Sequence, residues 1–375
     1  MSSSPPLKVL IVDDTVVYRK IVSDVMADIP DVKVVGTAHN GKAALLKIKT
    51  LQPDLLTLDI EMPEMSGLEL LQHMKSEHPH VGAIMLSTLT QKGGSMTMRA
   101  LELGAFDFVP KPQAGTLANN KKAVKDALLP MLQAFQRSRA IRGAIRTVNS
   151  GHQRRPSSNR PRAQVLKTPL TPPQKRSGPS SIVGIGISTG GPNALAQVLP
   201  QLPGDIGVPV VIVQHMPAMF TQSLAKSLNS KCALEVHEAV NGEPLHPNKV
   251  YIAPGGKQMK IVAGADGRAR VIKITNDPPE NSCRPSVDYL FRSIAELYVG
   301  RATGVIMTGM GSDGTAGLIQ MKNSGAFIIA QDESTCVVFG MPKDPIERGI
   351  VDVVSPLGMI SKQIINTLPK QKARW

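Results

Sequence analysis

At 375 residues and 42% hydrophobic content, the chain is too long for one ordinary core and is expected to form two folded units, filled by aliphatic side chains because aromatics make up only 3%. No apolar run reaches the ~18–20 residues of a membrane span, MSSSPPLKVL at the start has no secretory pattern, and Cys232, Cys283 and Cys336 are too scattered for a disulfide framework or a zinc pattern, so a reduced, cytoplasmic protein is expected. The net charge of +14 is local: residues 137–180 carry eleven Arg and Lys with no Asp or Glu, which leaves +3 elsewhere and argues against a basic folded face for nucleic acid.

From Lys8 to about Ala118, short apolar runs alternate with amphipathic stretches. KVLIV, VKVVGTA, DLLTLD, VGAIMLS and FDFVP read as five strands, and helices are expected near Val16, Gly41, Leu68 and Lys92. Continuous rather than alternating hydrophobicity marks strands covered by helices on both faces, hence a parallel sheet. A last helix is expected from about Asn119 to Gln136. Beyond it, a segment rich in Pro, Ser and Arg cannot bury enough apolar surface to offset ordering entropy and reads as a flexible linker.

From Ser181 the alternation resumes. SIVGIGIS, VPVVIVQH, KVYIAP, ATGVIMTGM and AFIIAQ are expected strands, with helices after Gly191, Phe220, Ser286 and Thr315 and a peripheral strand at ARVIKIT. The expected fold class is α/β throughout, with two doubly wound parallel-sheet domains. The boundaries are 1–125, then 126–180 for the last helix and basic linker, then 181–375.

In an open parallel sheet, ligands collect beyond the carboxyl ends of the strands at the switch in strand order. Asp13 and Asp14 end the first strand and Asp59 ends the third; in a flavodoxin-like order these strands are neighbours, so the acids converge. Three carboxylates so close need a positive partner, and an all-oxygen set suits hydrated Mg²⁺. Ser87 ends the fourth strand and Lys111 follows the fifth, which brings a hydroxyl and an ammonium to the same rim.

Gly186-Ile187-Ser188-Thr189-Gly190 fits G-x-S-x-G in a strand, sharp turn and helix context, the setting of an exposed serine nucleophile. A dinucleotide-binding loop is the rival reading of Gly184 and Gly186. It lacks its third glycine, because Thr189 stands there, and the next strand ends in His215 rather than an acid. A serine needs a base within reach and the base needs an orienting group. His215 shares the expected rim with Ser188, whereas His237 and His246 lie in polar sequence; Asp313, after ATGVIMTGM, supplies the carboxylate, with capping of the helix near Thr315 as its alternative role.

VLIVDD, LTLDIEMPEMSG, LS and VPKP resemble response-regulator receiver domains, and GISTGGP, VIVQHMP, YIAPGGKQM, CRPSVDYLFRS, VIMTGMGSDG and QDESTCVVFGMP resemble the catalytic domain of CheB-type protein-glutamate methylesterases. The resemblance implies a flavodoxin-like receiver joined to a Rossmann-like methylesterase domain. By it, Asp59 accepts a phosphoryl group from a sensor histidine kinase, Asp13, Asp14 and Asp59 hold Mg²⁺, Ser87 senses the phosphate and Lys111 pairs with it. It makes Ser188 the nucleophile, His215 the base and acid, and Asp313 the orienting carboxylate, with the Met310 N–H at the oxyanion and Thr189 lining the pocket. The implied substrates are glutamate γ-methyl esters and glutamines of methyl-accepting chemoreceptors, with no cofactor for the hydrolase, no nucleic acid and no membrane insertion. The alternative from another class is a receiver-controlled regulator whose second unit binds a partner or nucleic acid without catalysis.

Overall fold

The computed structural model describes residues 5–112, 115–148 and 174–370, with 140–148 as backbone alone. It divides into two units, Met1–Gln136 and Arg137–Trp375. The first carries β1 (Leu7–Val12), α1 (Val16–Ala27), β2 (Val32–Ala38), α2 (Gly41–Leu51), β3 (Leu55–Asp59), α3 (Gly67–Glu77), β4 (Gly82–Ser87), α4 (Gln91–Glu102), β5 (Asp107–Pro110) and the start of α5 (Leu117–Val148). The strands pair in the order β2-β1-β3-β4-β5, all parallel, as the unbroken apolar runs require. Val9, Ile11, Leu55, Ile84 and Val109 on one face of the sheet pack against Ile21, Val25, Val124 and Leu128 from α1 and α5.

Helix α5 continues past the expected stop at Gln136 to Val148. Residues 137–148 are rich in Arg, Ala and Ile and hold no proline, so they propagate a helix although they are charged. At the other end of the basic segment, Gln174, Ser177 and Ser180 donate backbone hydrogen bonds to Asn323, Gly300 and Thr367, and Arg176 lies over the Phe327 ring. The second unit therefore begins before Ser181. The expectation of a flexible linker falls, for 149–173, outside the described residues.

The second unit carries β6 (Ile182–Ile187), α6 (Gly191–Val198), β7 (Val210–Gln214), α7 (Phe220–Asn229), β8 (Glu235–Glu238), β9 (Lys249–Ile252), β10 (Gln258–Ala263), β11 (Arg270–Thr275), α8 (Val287–Leu297), β12 (Ala302–Ile306), α9 (Thr315–Asn323), β13 (Phe327–Gln331), α10 (Lys343–Glu347), β14 (Val353–Ser355) and α11 (Ile360–Thr367). Seven strands form a parallel sheet in the order β14-β13-β12-β6-β7-β9-β8. The peripheral strand at ARVIKIT is β11, which pairs antiparallel with β10 as a separate hairpin. The chain moves outward from β6 through β7 and returns as β12 on the other side of β6, so the switch in strand order lies at β6.

Helix α8 crosses β6 closely, and the two glycines of the G-x-G explain how. A Cβ on Gly184 would stand 2.7 Å from Ile294 Cδ1, and one on Gly186 would stand 2.4 Å from Val287 Cγ1. These glycines lie inside a fully buried strand, where they admit a helix, and not in a loop that could wrap a pyrophosphate. The dinucleotide reading is thereby excluded by position.

Candidate active site and phosphoacceptor site

Ser188 is the first residue beyond β6 and His215 the first beyond β7. Adjacent parallel strands deliver both to one sheet edge: His215 N–H donates to the Ile187 carbonyl at 3.1 Å, Ser188 N–H to Thr308 at 3.0 Å, and Gln214 Nε2 to the Ser188 carbonyl at 2.9 Å. Gly191 N–H closes a turn onto the Ser188 carbonyl, and Gly190 takes φ 75°, a left-handed value suited to glycine at the start of α6. The serine is thus raised on a sharp strand-to-helix turn and is partly exposed.

Asp313 arrives from the β12 side through the glycine-containing loop 307–314. It does not cap α9, whose N-cap is Gly314 without a side-chain bond. Its carboxylate sits instead on the N-terminus of α8: Oδ2 accepts from Val287 N–H at 2.7 Å, and Oδ1 accepts from Ser286 Oγ at 2.9 Å, Asn281 Nδ2 at 3.1 Å and Asp288 N–H at 3.2 Å. Asp288, in the first turn of α8, returns the arrangement by accepting Gly317 N–H of α9 at 2.6 Å, while its Oδ2 accepts from Asn281. Each helix start is neutralised by an acid from the start of the other.

The remaining reach of Asp313 goes to His215, Nε2 to Oδ2 at 2.7 Å. Burial opposes charge on both groups, yet the pair outweighs it. His215 is raised above its ordinary 6.5 by Asp313 and by Cys283, and Asp313 is lowered below 3.8 by His215, Val287 N–H and Asn281. Nδ1 is the nitrogen left for proton transfer, and Cys283 Sγ lies 3.7 Å from it. Ser188 Oγ makes no hydrogen bond among the described residues; in unliganded hydrolases the serine–histidine contact commonly tightens only around substrate. The Met310 N–H, on the exposed crest of the same loop, has no partner among the described residues, and the Thr189 carbonyl accepts from Thr308 Oγ1 at 3.0 Å. His237 stands apart: it is half-buried against Tyr251 and pairs with Glu243 at 3.0 Å.

In the first unit the expected residues also converge. Lys111 Nζ lies 2.7 Å from Asp13 Oδ2 and 2.6 Å from Asp59 Oδ2, with all three side chains buried, and it stacks 4.7 Å from the Tyr18 ring centroid. Burial pushes the Asp59 carboxyl up to about 6 against the pull of Lys111. Asp13, Asp14 and Asp59 each offer an oxygen within 4.8 Å of the others, while Lys111 pairs with Asp13 and Asp59. Three carboxylates gathered around one ammonium leave an acceptor-rich oxygen set that fits a hard divalent cation. A cleft of about 420 Å³ lies above it, lined by Asp14, Asp59, Ser87, Thr88 and Lys111 among others. Ser87 reaches the cleft wall, but its hydroxyl is engaged by Thr97 Oγ1 at 2.6 Å and directed to the Gly93 carbonyl at 3.3 Å, not to Asp59.

Sequence reasoning named Ser286 only as a helix start and gave no role to Asn281, Asp288 or Gln214. The first three lie in ENSCRPSVD, where a polar run breaks directly into an apolar helix, the one local signal that acids and amides gather at a helix start.

Residues 183–364 match the family model described as CheB methylesterase, and residues 9–120 match the response regulator receiver domain. The chain is similar to the protein-glutamate methylesterase/protein-glutamine glutaminase of Desulfotalea psychrophila, with 56% identity over 96% of this chain and 98% of that one. Its similarity to the protein of the same name from Halalkalibacterium halodurans is 43% over 96% and 97%. The crystal structure of the Thermotoga maritima CheB methylesterase catalytic domain is 43% identical, covers 50% of this chain and 98% of its own, and has a TM-score of 0.49.

Because Asp288 secures the start of α9 from within α8, Asp288→Ala is expected to cost about 1–2 kcal/mol, the scale of a lost helix cap. Thermal unfolding followed on the second unit checks this: an unchanged midpoint would show that the carboxylate exchange carries no stability.

Proposed function

The chain belongs to the CheB methylesterase family and carries its own receiver domain, and we propose that its chemistry runs through Ser188, His215 and Asp313 as nucleophile, base and orienting acid. The enzyme is a protein-glutamate methylesterase and protein-glutamine glutaminase, controlled by phosphorylation of the receiver, and its substrates are chemoreceptor side chains. Relatives that bear both activities in their names give no support to a non-catalytic output unit. The observation that carries the residue assignment is the 2.7 Å bond that fixes the His215 ring on Asp313 at the sheet edge from which Ser188 projects.

With Nε2 committed to Asp313, Nδ1 takes the Ser188 proton as Oγ attacks the γ-carbonyl carbon of the glutamyl ester. Negative charge on the carbonyl oxygen meets the free N–H of Met310, a preorganised donor of the kind worth about 3–4 kcal/mol in other acyl-transfer sites. The imidazolium returns its proton to the departing methoxide, and methanol leaves an acyl-serine. Water, deprotonated by the same nitrogen, attacks the acyl carbon, and that proton passes to Ser188 Oγ as the C–Oγ bond breaks and glutamate leaves. Glutamine follows the same course with ammonia as leaving group, and Thr189 lines the pocket beside the nucleophile.

In the receiver, Asp59 takes the phosphoryl group from the histidine kinase, and Asp13, Asp14 and Asp59 would hold Mg²⁺. When bound, the ion supplies positive charge against the incoming phosphate oxygens. Lys111 supplies a second cation already in place. Ser87 has to leave Thr97 and Gly93 to reach a phosphate on Asp59, and that rearrangement beside α4 is the local change by which phosphorylation is sensed. Phosphorylation adds nearly two negative charges and one to three charge-assisted hydrogen bonds, enough to shift a two-state equilibrium by several kcal/mol.

Methanol release from methylated receptor tests the assignment. Ser188→Ala is expected to lower turnover by about 10⁴–10⁶-fold, as in other serine triads, and undiminished release would reject the nucleophile. In the same assay, Asp59→Asn is expected to keep basal turnover and lose the stimulation given by a phosphodonor. A third outcome follows from the elevated His215: the base must be neutral, so kcat/KM should still be climbing with pH above 6.5, the ordinary histidine value. A plateau reached below that pH would contradict the ion-paired ring.

A further inference from the structure

Cys283 lies 68 residues from His215 in sequence, but its Sγ is 3.7 Å from His215 Nδ1. A tight turn holds it there. Glu280 and Cys283 exchange backbone hydrogen bonds at 3.1 and 2.7 Å, Asn281 and Ser282 both take left-handed φ values of 50° and 63°, and the Cys283 carbonyl accepts from Gln258 Nε2 at 3.3 Å. Two successive non-glycine residues in that region are costly and persist only where their surroundings over-determine them. Here the Asn281 amide, clamped between Asp288 and Asp313, does so. The turn holds the thiol between the Asn281 carbonyl, 3.4 Å from Sγ, and the His215 ring.

The separation has a specific meaning. Ligands at about 2.3 Å (sulfur) and 2.0–2.1 Å (nitrogen) from one tetrahedral zinc ion stand about 3.6 Å apart. Thiolate with imidazole is a soft pair that selects zinc over magnesium or calcium. The second ring nitrogen, Nε2, is held by Asp313, the carboxylate–histidine arrangement that orients zinc-binding imidazoles. Asp313 itself has no oxygen to spare, since Oδ1 and Oδ2 already serve Ser286, Asn281, Val287, Asp288 and His215. His215 and Cys283 are both partly exposed, which leaves further coordination positions open to water.

We propose that His215 Nδ1 and Cys283 Sγ form a binding site for Zn²⁺ and that its occupation switches the esterase off. The inhibition rests on the catalytic role given to His215 above; the binding does not. A metal on Nδ1 occupies the lone pair that must take the Ser188 proton, so bound zinc and turnover exclude each other. With two protein ligands the site is weaker than four-ligand structural zinc sites and responds reversibly to free metal. Burial raises the other two thiols, Cys232 to about 11 and Cys336 further, so neither competes readily as a thiolate.

The test uses the full chain and two readouts. Titration with Co²⁺ alone should produce a thiolate-to-metal charge-transfer band of one ion per chain in the native protein and in Ser188→Ala, and no band in Cys283→Ser. Chelator-buffered Zn²⁺ should inhibit methanol release by the native enzyme at concentrations at least tenfold lower than for Cys283→Ser. Absence of the cobalt band, or its survival in Cys283→Ser, overturns the site whatever the activity. A band with zinc-insensitive turnover overturns the switch. Loss of methanol release from the metal-free native enzyme would instead overturn the catalytic reading and leave the cobalt result standing.

Discussion

The catalytic edge depends on how two helix starts are neutralised. Helices α8 and α9 pack against one another at their starts, and each presents N–H groups that cannot be left buried and bare. The fold meets both needs by exchange: Asp313, just before α9, accepts from the start of α8, and Asp288, inside α8, accepts from α9. Asn281 donates to both acids and keeps two buried carboxylates from facing each other without a donor between them. Asp313 is consequently fixed before it ever meets histidine. The ring then inherits its orientation from a helix pair, which is far stiffer than a loop.

The receiver solves a related problem with the opposite outcome. There Lys111 is clasped by two buried acids, and Asp59 is the one that must react. Burial pushes the Asp59 carboxyl up while Lys111 pulls it down, and Asp13, Asp14 and Asp59 crowd their oxygens within 4.8 Å of one another. In the second unit every lone pair of the key acid is spoken for. In the first, three acids meet one lysine, and that excess of negative charge is what a bound counter-ion would answer.

Much of this was legible in the sequence, because parallel-sheet folds write their sites at strand ends. Unbroken apolar runs located ten strands, and the residue after each run located Asp13, Asp59, Ser87, Lys111, Ser188 and His215. What stayed hidden is long-range. EVHE, the edge strand β8, alternates polar and apolar residues because one side faces solvent, so it does not read like its buried neighbours. Asp313 next to its own helix suggested a local cap, and only the tertiary fold shows that it serves a helix 25 residues earlier. The glycines of G-x-G invited a phosphate-binding reading because a tight turn and a close helix crossing demand the same residue. The basic segment read as linker throughout, since charge density concealed helix propensity in residues 137–148.

Strand β6 delivers the nucleophile and is also the floor on which α8 rests, with no room for a Cβ at Gly184 or Gly186. Any side chain added there would lift the helix that positions Asp313, so an alteration meant for the serine's own strand would reach the acid as well. The strand is in effect closed to substitution, whereas Met310, on the loop after β12, is exposed and stands outside that shared packing.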